Sequence, residues 1–258
     1  MVGGSCNSIS NCSYNSAIIS GFMNTLYYST YSSIITSKCS WICNQGCSTI
    51  LGGYQNCIGP IFSCNVSIEG GRCNIINNNS NYSTIVNGIC NIMCDSGRAS
   101  NIMGGSCNTI RTSSNQNTIF AGNKNIIHTY SFNNAIAGGV CNCMNNCVLN
   151  SSIISGCNNR ITTDSCSSNI IGGCCNTVVS TQGSSIVSGV INSVCSSSCS
   201  SIIGGCGNTL QSNSNNTVMI AGRGLSFSNT CDRVIVPSMI IASASTVRPH
   251  FNLVAGAS

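Results

Sequence analysis

Charge is what this sequence has least of. Nine Lys and Arg and four Asp and Glu stand among 258 residues, so 5% of the chain is charged, where roughly 25% is usual for a globular domain. The formal net charge is +5, but no two basic residues share a five-residue window, which argues against a nucleic-acid interface. The acids Glu69, Asp95, Asp164 and Asp232 are isolated from one another, and His128 and His250 are the only histidines. No carboxylate pair, nucleophile–base set or metal cluster follows from such residues, so no catalytic residue, cofactor or metal is expected and the chain does not read as an enzyme. The stretch Ala221 to Gly224, "AGRG", lacks the Lys and the strand-to-helix context of a phosphate loop.

Long apolar runs are missing too. The longest near the end, "VIVPSMIIASA" from Val234, carries Pro237 and two Ser and falls short of the roughly 20 residues a membrane span needs. No membrane insertion is expected, and no secretory signal is visible, because a charged n-region and an apolar h-region are both lacking at the start. Helical 3.6-residue spacing is absent. Disorder is a poor reading as well, since it goes with high charge and few β-branched residues, and Ile is abundant here.

What is present is a repeat. "SSIIGGCGNTL" from Ser200, "SNIIGGCCNTV" from Ser168, "SNIMGGSCNTI" from Ser100 and "STILGGYQNCI" from Ser48 are versions of one unit. Registered on the second Gly, the units fall at Gly4, Gly21, Ser37, Gly53, Gly71, Gly88, Gly105, Gly122, Gly139, Gly156, Gly173, Gly189, Gly205 and Gly222. Those 14 units give 13 spacings, eight of 17 residues, four of 16 and one of 18. Three before the register every residue is apolar and 12 are Ile; five after it all 14 are again apolar. Short β-branched runs bounded by Gly, Asn and Ser predict strands and turns, and a 17-residue unit can bury a core only by stacking. The expected fold is an all-β parallel β-solenoid of about 14 coils with two strands each over residues 1–228. At the ~4.8 Å strand spacing it would be a rod of roughly 65 Å. Asn stands three after the register in 12 of the 14 units: Asn7, Asn24, Asn56, Asn74, Asn91, Asn108, Asn125, Asn142, Asn159, Asn176, Asn192 and Asn208; Ser40 and Leu225 are the exceptions. An amide that donates and accepts along the stack suits a ladder, and Gly at the register suits a turn with φ > 0.

Because neighbouring strand residues face opposite ways, the residue two before the register should point outward. That column holds Ile19, Ile35, Leu51, Val86, Met103, Phe120, Ile154, Ile171, Val187, Ile203 and Ile220, with Glu69 the one charge. A monomer would not expose an apolar stripe of that length, so side-by-side association is expected; a flat coil burying both faces or pairing of two chains is the alternative. The outward column of the other strand, six after the register, is mostly polar, as at Ser10, Tyr27, Asn77, Arg111, His128 and Asn145.

The unit S-x-I-I-G-G-x-x-N-x-I resembles the head repeats of trimeric autotransporter adhesins and related fibre segments of viral surface proteins. The resemblance covers Met1 to about Phe227 and implies left-handed parallel β-rolls with three chains together. This chain departs in its longer units and its Cys content. A structural fibre on a virion or cell surface, hence extracellular, is the expected role; an adhesin binding host glycans or matrix is the alternative, and a polysaccharide-acting solenoid enzyme a remote one.

The 22 Cys reach the level of a disulfide scaffold. Two after the register stand Cys6, Cys39, Cys73, Cys90, Cys107, Cys141 and Cys175, and stacked neighbours would lie within disulfide range. Zinc and thiols that simply fill space are the competing readings. Residues 229–258 depart from the repeat. Met1 to Gly4 already stand in register, so an open strand edge is expected there, and the tail from about residue 230 is expected either to cap its own coils or to dock on the first coil of a second copy, making a head-to-tail filament.

Overall fold

The computed structural model describes residues 1–59, 64–77, 79–94, 98–111, 113–237 and 251–255. They form an all-β parallel β-solenoid of about 13 turns, without a helix. The repeat count of 14 is slightly higher because the first unit is incomplete as strand: Val2 contributes only an isolated bridge to Ile19.

Two compact units make up the chain, Met1–Asn146 and Cys147–Ser258, and both are built alike. In the first unit one parallel sheet runs from Ala17–Phe22 through strands such as Thr84–Ile85 to Ala135–Ile136, and a second from Ser8–Ser10 through Ile92–Met93 to Cys143–Asn145. The register carries like onto like: Ile85 pairs Ile102, which pairs Ile119, and Ile76 pairs Met93, which pairs Ile110. The second unit repeats this with Ile153, Ile170 and Ile186 on one sheet and Ile161, Val178 and Val194 on the other. The inward columns are fully buried from Ile18 to Met219 and from Leu26 to Leu210, and Phe227 at the end of the second is half-buried.

Two such side chains per coil make a thin core. A fully buried Ile is worth about 1.5–3 kcal/mol, and ordering each residue's backbone costs about 1–2. The rest of the stabilisation has to come from the backbone ladders and from the corners, where the chain turns.

At the C-terminal side, Arg233–Pro237 joins the first sheet of the second unit in parallel and sets Ile235 against Met219 in the buried column. Phe251–Ala255 then pairs antiparallel with Arg233–Pro237, so the parallel ladder there gains an antiparallel rung. Residues 238–250 and 256–258, most of the segment expected to cap or dock, lie outside the described residues.

Candidate functional site

The corners come first, because they fix every outward position. Asn108 is completely buried and uses all of its amide. Its Oδ1 accepts from the Asn125 backbone N–H at 3.0 Å; its Nδ2 donates to the carbonyls of Gly104 and Gly122 at 3.0 and 3.1 Å. The same link runs Asn74–Asn91–Asn108–Asn125–Asn142 in the first unit and Asn159–Asn176–Asn192–Asn208 in the second, each Oδ1 3.0–3.1 Å from the next backbone nitrogen. Asn7 bonds Asn24, and Asn56 bonds Asn74, in the same way.

The register glycine is what lets the amide in. At Gly88, φ is +103°, and a Cβ would collide with the Gly105 carbonyl oxygen and the Asn91 amide. The exception obeys the same rule: where Ser37 replaces the glycine, Ser40 replaces the Asn, and the two hydroxyls bond each other in the space the amide would fill. The ladder ends where Leu225, the other exception, donates its N–H to Asn208 Oδ1.

Two further ladders stand at the other corners, and neither was among the expectations. Five before the register, a short side-chain oxygen accepts the backbone N–H of its counterpart one coil on: Ser83 from Ser100, Ser100 from Asn117 and Asn117 from Asn134, and in the second unit Ser184 from Ser200 and Ser200 from Thr217. Eight or nine after it, Ser13 accepts from Ser29, Ser197 from Ser214 and Ser214 from Thr230. The leading Ser of each quoted repeat was the available signal.

The outward apolar column lies open. Ile19, Leu51, Met103, Phe120, Ile154, Ile171, Ile203 and Ile220 are 37–48% exposed, and Ile35, Val86 and Val187 are half-buried. Beside it runs a row of small polar residues; Thr84, Asn101 and Thr118 flank Val86, Met103 and Phe120 around a hollow of about 360 Å³. Glu69 is exposed in the same column.

The opposite face of the first unit differs. Tyr27 and Trp41 with Thr25 and Cys43 line a hollow of about 310 Å³. Just past the register turn, cations and rings alternate: Lys38 Nζ lies 5.8 Å from the Phe22 ring centre and 5.7 Å from that of Tyr54, and the Arg72 guanidinium 5.5 Å from Tyr54 on its other side. His128 is half-buried, and burial followed by the Arg111 charge moves its pKa below the ordinary value. Glu69, Asp164 and Asp232 are exposed, and Asp95 lies outside the described residues.

All 22 cysteines are thiols in this structure. The column Cys6, Cys39, Cys73, Cys90, Cys107, Cys141 and Cys175 sits at a corner in the left-handed region, with φ of 54–57° throughout. Cys90 has its pKa raised by burial and by the neighbouring Cys73 and Cys107. The side chain of Cys90 also hydrogen-bonds Cys73. A second column brings sulfurs together as well: Cys157 and Cys174, one after the register, have Sγ atoms 3.0 Å apart, and Cys174 Sγ is 3.3 Å from that of Cys175. Among the described residues no group of three or more His, Cys, Asp or Glu is placed to hold a metal ion.

Comparison with known proteins adds little to this geometry. The sequence matches no family model and no curated protein. Among solved structures, a proposed acetyltransferase from Desulfovibrio desulfuricans G20 aligns over 86% of this chain and 66% of its own, at 8% identity and a TM-score of 0.16. A superposition that poor carries no argument about fold or activity.

Proposed function

We propose that the chain is a structural protein, a fibre-forming β-solenoid that associates side by side with copies of itself, three together, on a virion or cell surface. The observation that carries this reading is the repeated exposure of large apolar side chains at one outward position, coil after coil, beside a row of small polar residues such as Thr84, Asn101 and Thr118. The resemblance of the repeat to trimeric adhesin heads supports three as the number. The four acids, which stand apart from one another in the sequence, support a role without catalysis, and the scattered cations support one without nucleic acid. The described strands of the tail, Arg233–Pro237 and Phe251–Ala255, extend the second unit's own sheet, which supports a tail that caps its own coils.

Sedimentation of the purified chain tests the association. The native protein should run as a discrete oligomer and Ile171→Asp, which sets a charge on the apolar column, as a monomer. A native protein that stays monomeric at tens of micromolar overturns the reading.

One observation favours the adhesin as a second reading: the hollow of Tyr27 and Trp41 offers ring faces of the kind sugars stack against. Glycan-array binding that Trp41→Ala abolishes while the oligomer persists would support it; an array with no signal for the native oligomer would remove it.

A further inference from the structure

Cys157 and Cys174 hold the same place in consecutive coils of the second unit and face each other as parallel bridge partners. Hydrogen bonds clamp the backbone on both sides of them. The Cys157 N–H donates to the Gly173 carbonyl at 3.0 Å, and the Cys175 N–H donates to the Cys157 carbonyl at 2.9 Å. Their Cα separation is thereby held near the ~4.8 Å strand spacing, inside the ~4.4–6.8 Å range a disulfide spans. Both side chains are half-buried and Cys175 is exposed, so a small soluble disulfide can reach the cluster. The other close contact, Cys174 with Cys175, joins adjacent residues, and closing it would make an eight-membered ring that strains the intervening peptide plane.

We propose that Cys157 and Cys174 are an oxidation site that closes to an inter-coil disulfide by exchange with a low-molecular-weight disulfide of the glutathione type, leaving Cys175 as a thiol. In the first step the Cys157 thiolate attacks one sulfur of oxidised glutathione; a protein–glutathione mixed disulfide forms and one glutathione thiolate leaves. In the second the Cys174 thiolate attacks the Cys157 sulfur and expels the other glutathione thiolate. The protein pair loses two electrons and the glutathione disulfide gains them. The two protons of the protein thiols end on the two glutathione thiols. The bond ties one coil to the next across a sequence separation of 17 (from 157 to 174), and it acts within one chain, so it stands whether or not the chains associate.

The test is a disulfide map of the folded chain after equilibration with oxidised glutathione and capping of remaining thiols with N-ethylmaleimide. Trypsin cuts after Arg160, which places Cys157 and Cys174 on different peptides. Most chains should show those two peptides joined, with fragment ions that assign the bond to Cys157 and Cys174 and with Cys175 capped. Cys157→Ser should lose the linked species and leave Cys174 capped or glutathionylated; Cys175→Ser should retain it. Capping of both Cys157 and Cys174 in the native chain, or a Cys174–Cys175 bond, overturns the proposal.

Discussion

Removing one amide from the Asn ladder should weaken the first unit by an amount that can be worked out from its partners. Asn108→Ala deletes three hydrogen bonds. The Gly122 carbonyl keeps the Ser106 N–H at 2.9 Å, and Gly104 is only half-buried, so water can serve its carbonyl. The Asn125 N–H has no such recourse: Asn125 is fully buried and Asn108 Oδ1 is its acceptor. An orphaned buried donor costs about 1–3 kcal/mol, and each of the two replaceable bonds contributes about 0.5–1.5 at most. The expected loss is therefore about 2–6 kcal/mol, a large share of the 5–15 typical of a domain. Guanidinium unfolding measures it, and hydrogen exchange locates it, because the Asn125 amide should lose protection while amides several coils away, which depend on nearest-neighbour contacts, change less. A loss below about 0.5 kcal/mol together with an unchanged Asn125 amide would refute the idea that the amides fasten the coils.

The register glycines should rank by what a methyl group would meet. Gly105→Ala puts a Cβ into the Gly122 carbonyl at a φ of +82°, whereas at Gly3, also at positive φ, nothing lies within 4 Å; the first should cost about 3 kcal/mol or more and the second about 1–2, the left-handed penalty alone, and equal melting points for the two variants would contradict this. Burial first, and the neighbouring Cys43 second, push the Cys57 thiol from 9.0 up to about 11. The folded chain holds that proton more tightly than the unfolded chain, so the Cys57 contribution to stability is flat below about pH 9 and declines as pH rises from there to about 11. Subtracting the melting profile of Cys57→Ser from that of the native chain should isolate this slope, and a flat difference would count against it.

The parts of the fold that could be read from the sequence are those where one chemical type fills a column. Ile recurs at the inward position from Ile18 to Ile202 because nothing else of that size and branching packs as well on a stacked strand, and so the period, the two strands and the outward alternation all follow. Asn is as legible, since at its corner one carboxamide accepts a backbone N–H of the next coil and donates to a carbonyl of that coil. The Ser ladder was hidden by its own tolerance. Any short oxygen serves there, so Ser83, Ser100 and Asn117 share a job without sharing a name. The left-handed corner was hidden for the opposite reason. Cys90, Lys124 and Ile191 all sit there with φ of 55–57°, although none of them favours it; the corner imposes the angle, and the inherent preference of the residue says nothing. For the thiols, the column that looked regular puts its cysteines at that strained corner, while the close pair Cys157 and Cys174 sits in a column that also holds Phe22, Arg72, Ile89, Asn123, Val140 and Cys206, too mixed for a pattern to point to it.

These corners also account for the shortage of charge. In most domains polar side chains go outward and hold the protein apart from its neighbours. Here Ser, Thr and Asn are spent inside, at 0–2% exposure along the ladders from Asn24 to Thr217, because each coil has too little apolar volume to hold itself together. With the polar residues used as fasteners, the outward position next to the buried Ile is left to Ile, Leu, Met and Phe. A single exposed Ile is unremarkable on any surface. Repeated in coil after coil, with Glu69 the charged interruption, it makes an apolar column, and on the proposed reading a second copy of this chain, which has the same recurrence, covers it. The consequence is graded. Each outward apolar residue adds its own contact, so Ile154→Ser together with Ile171→Ser should weaken association more than either change alone while leaving the buried columns and the three ladders intact, and a dissociation constant that ignored the number of substitutions would mean that the chains meet somewhere else.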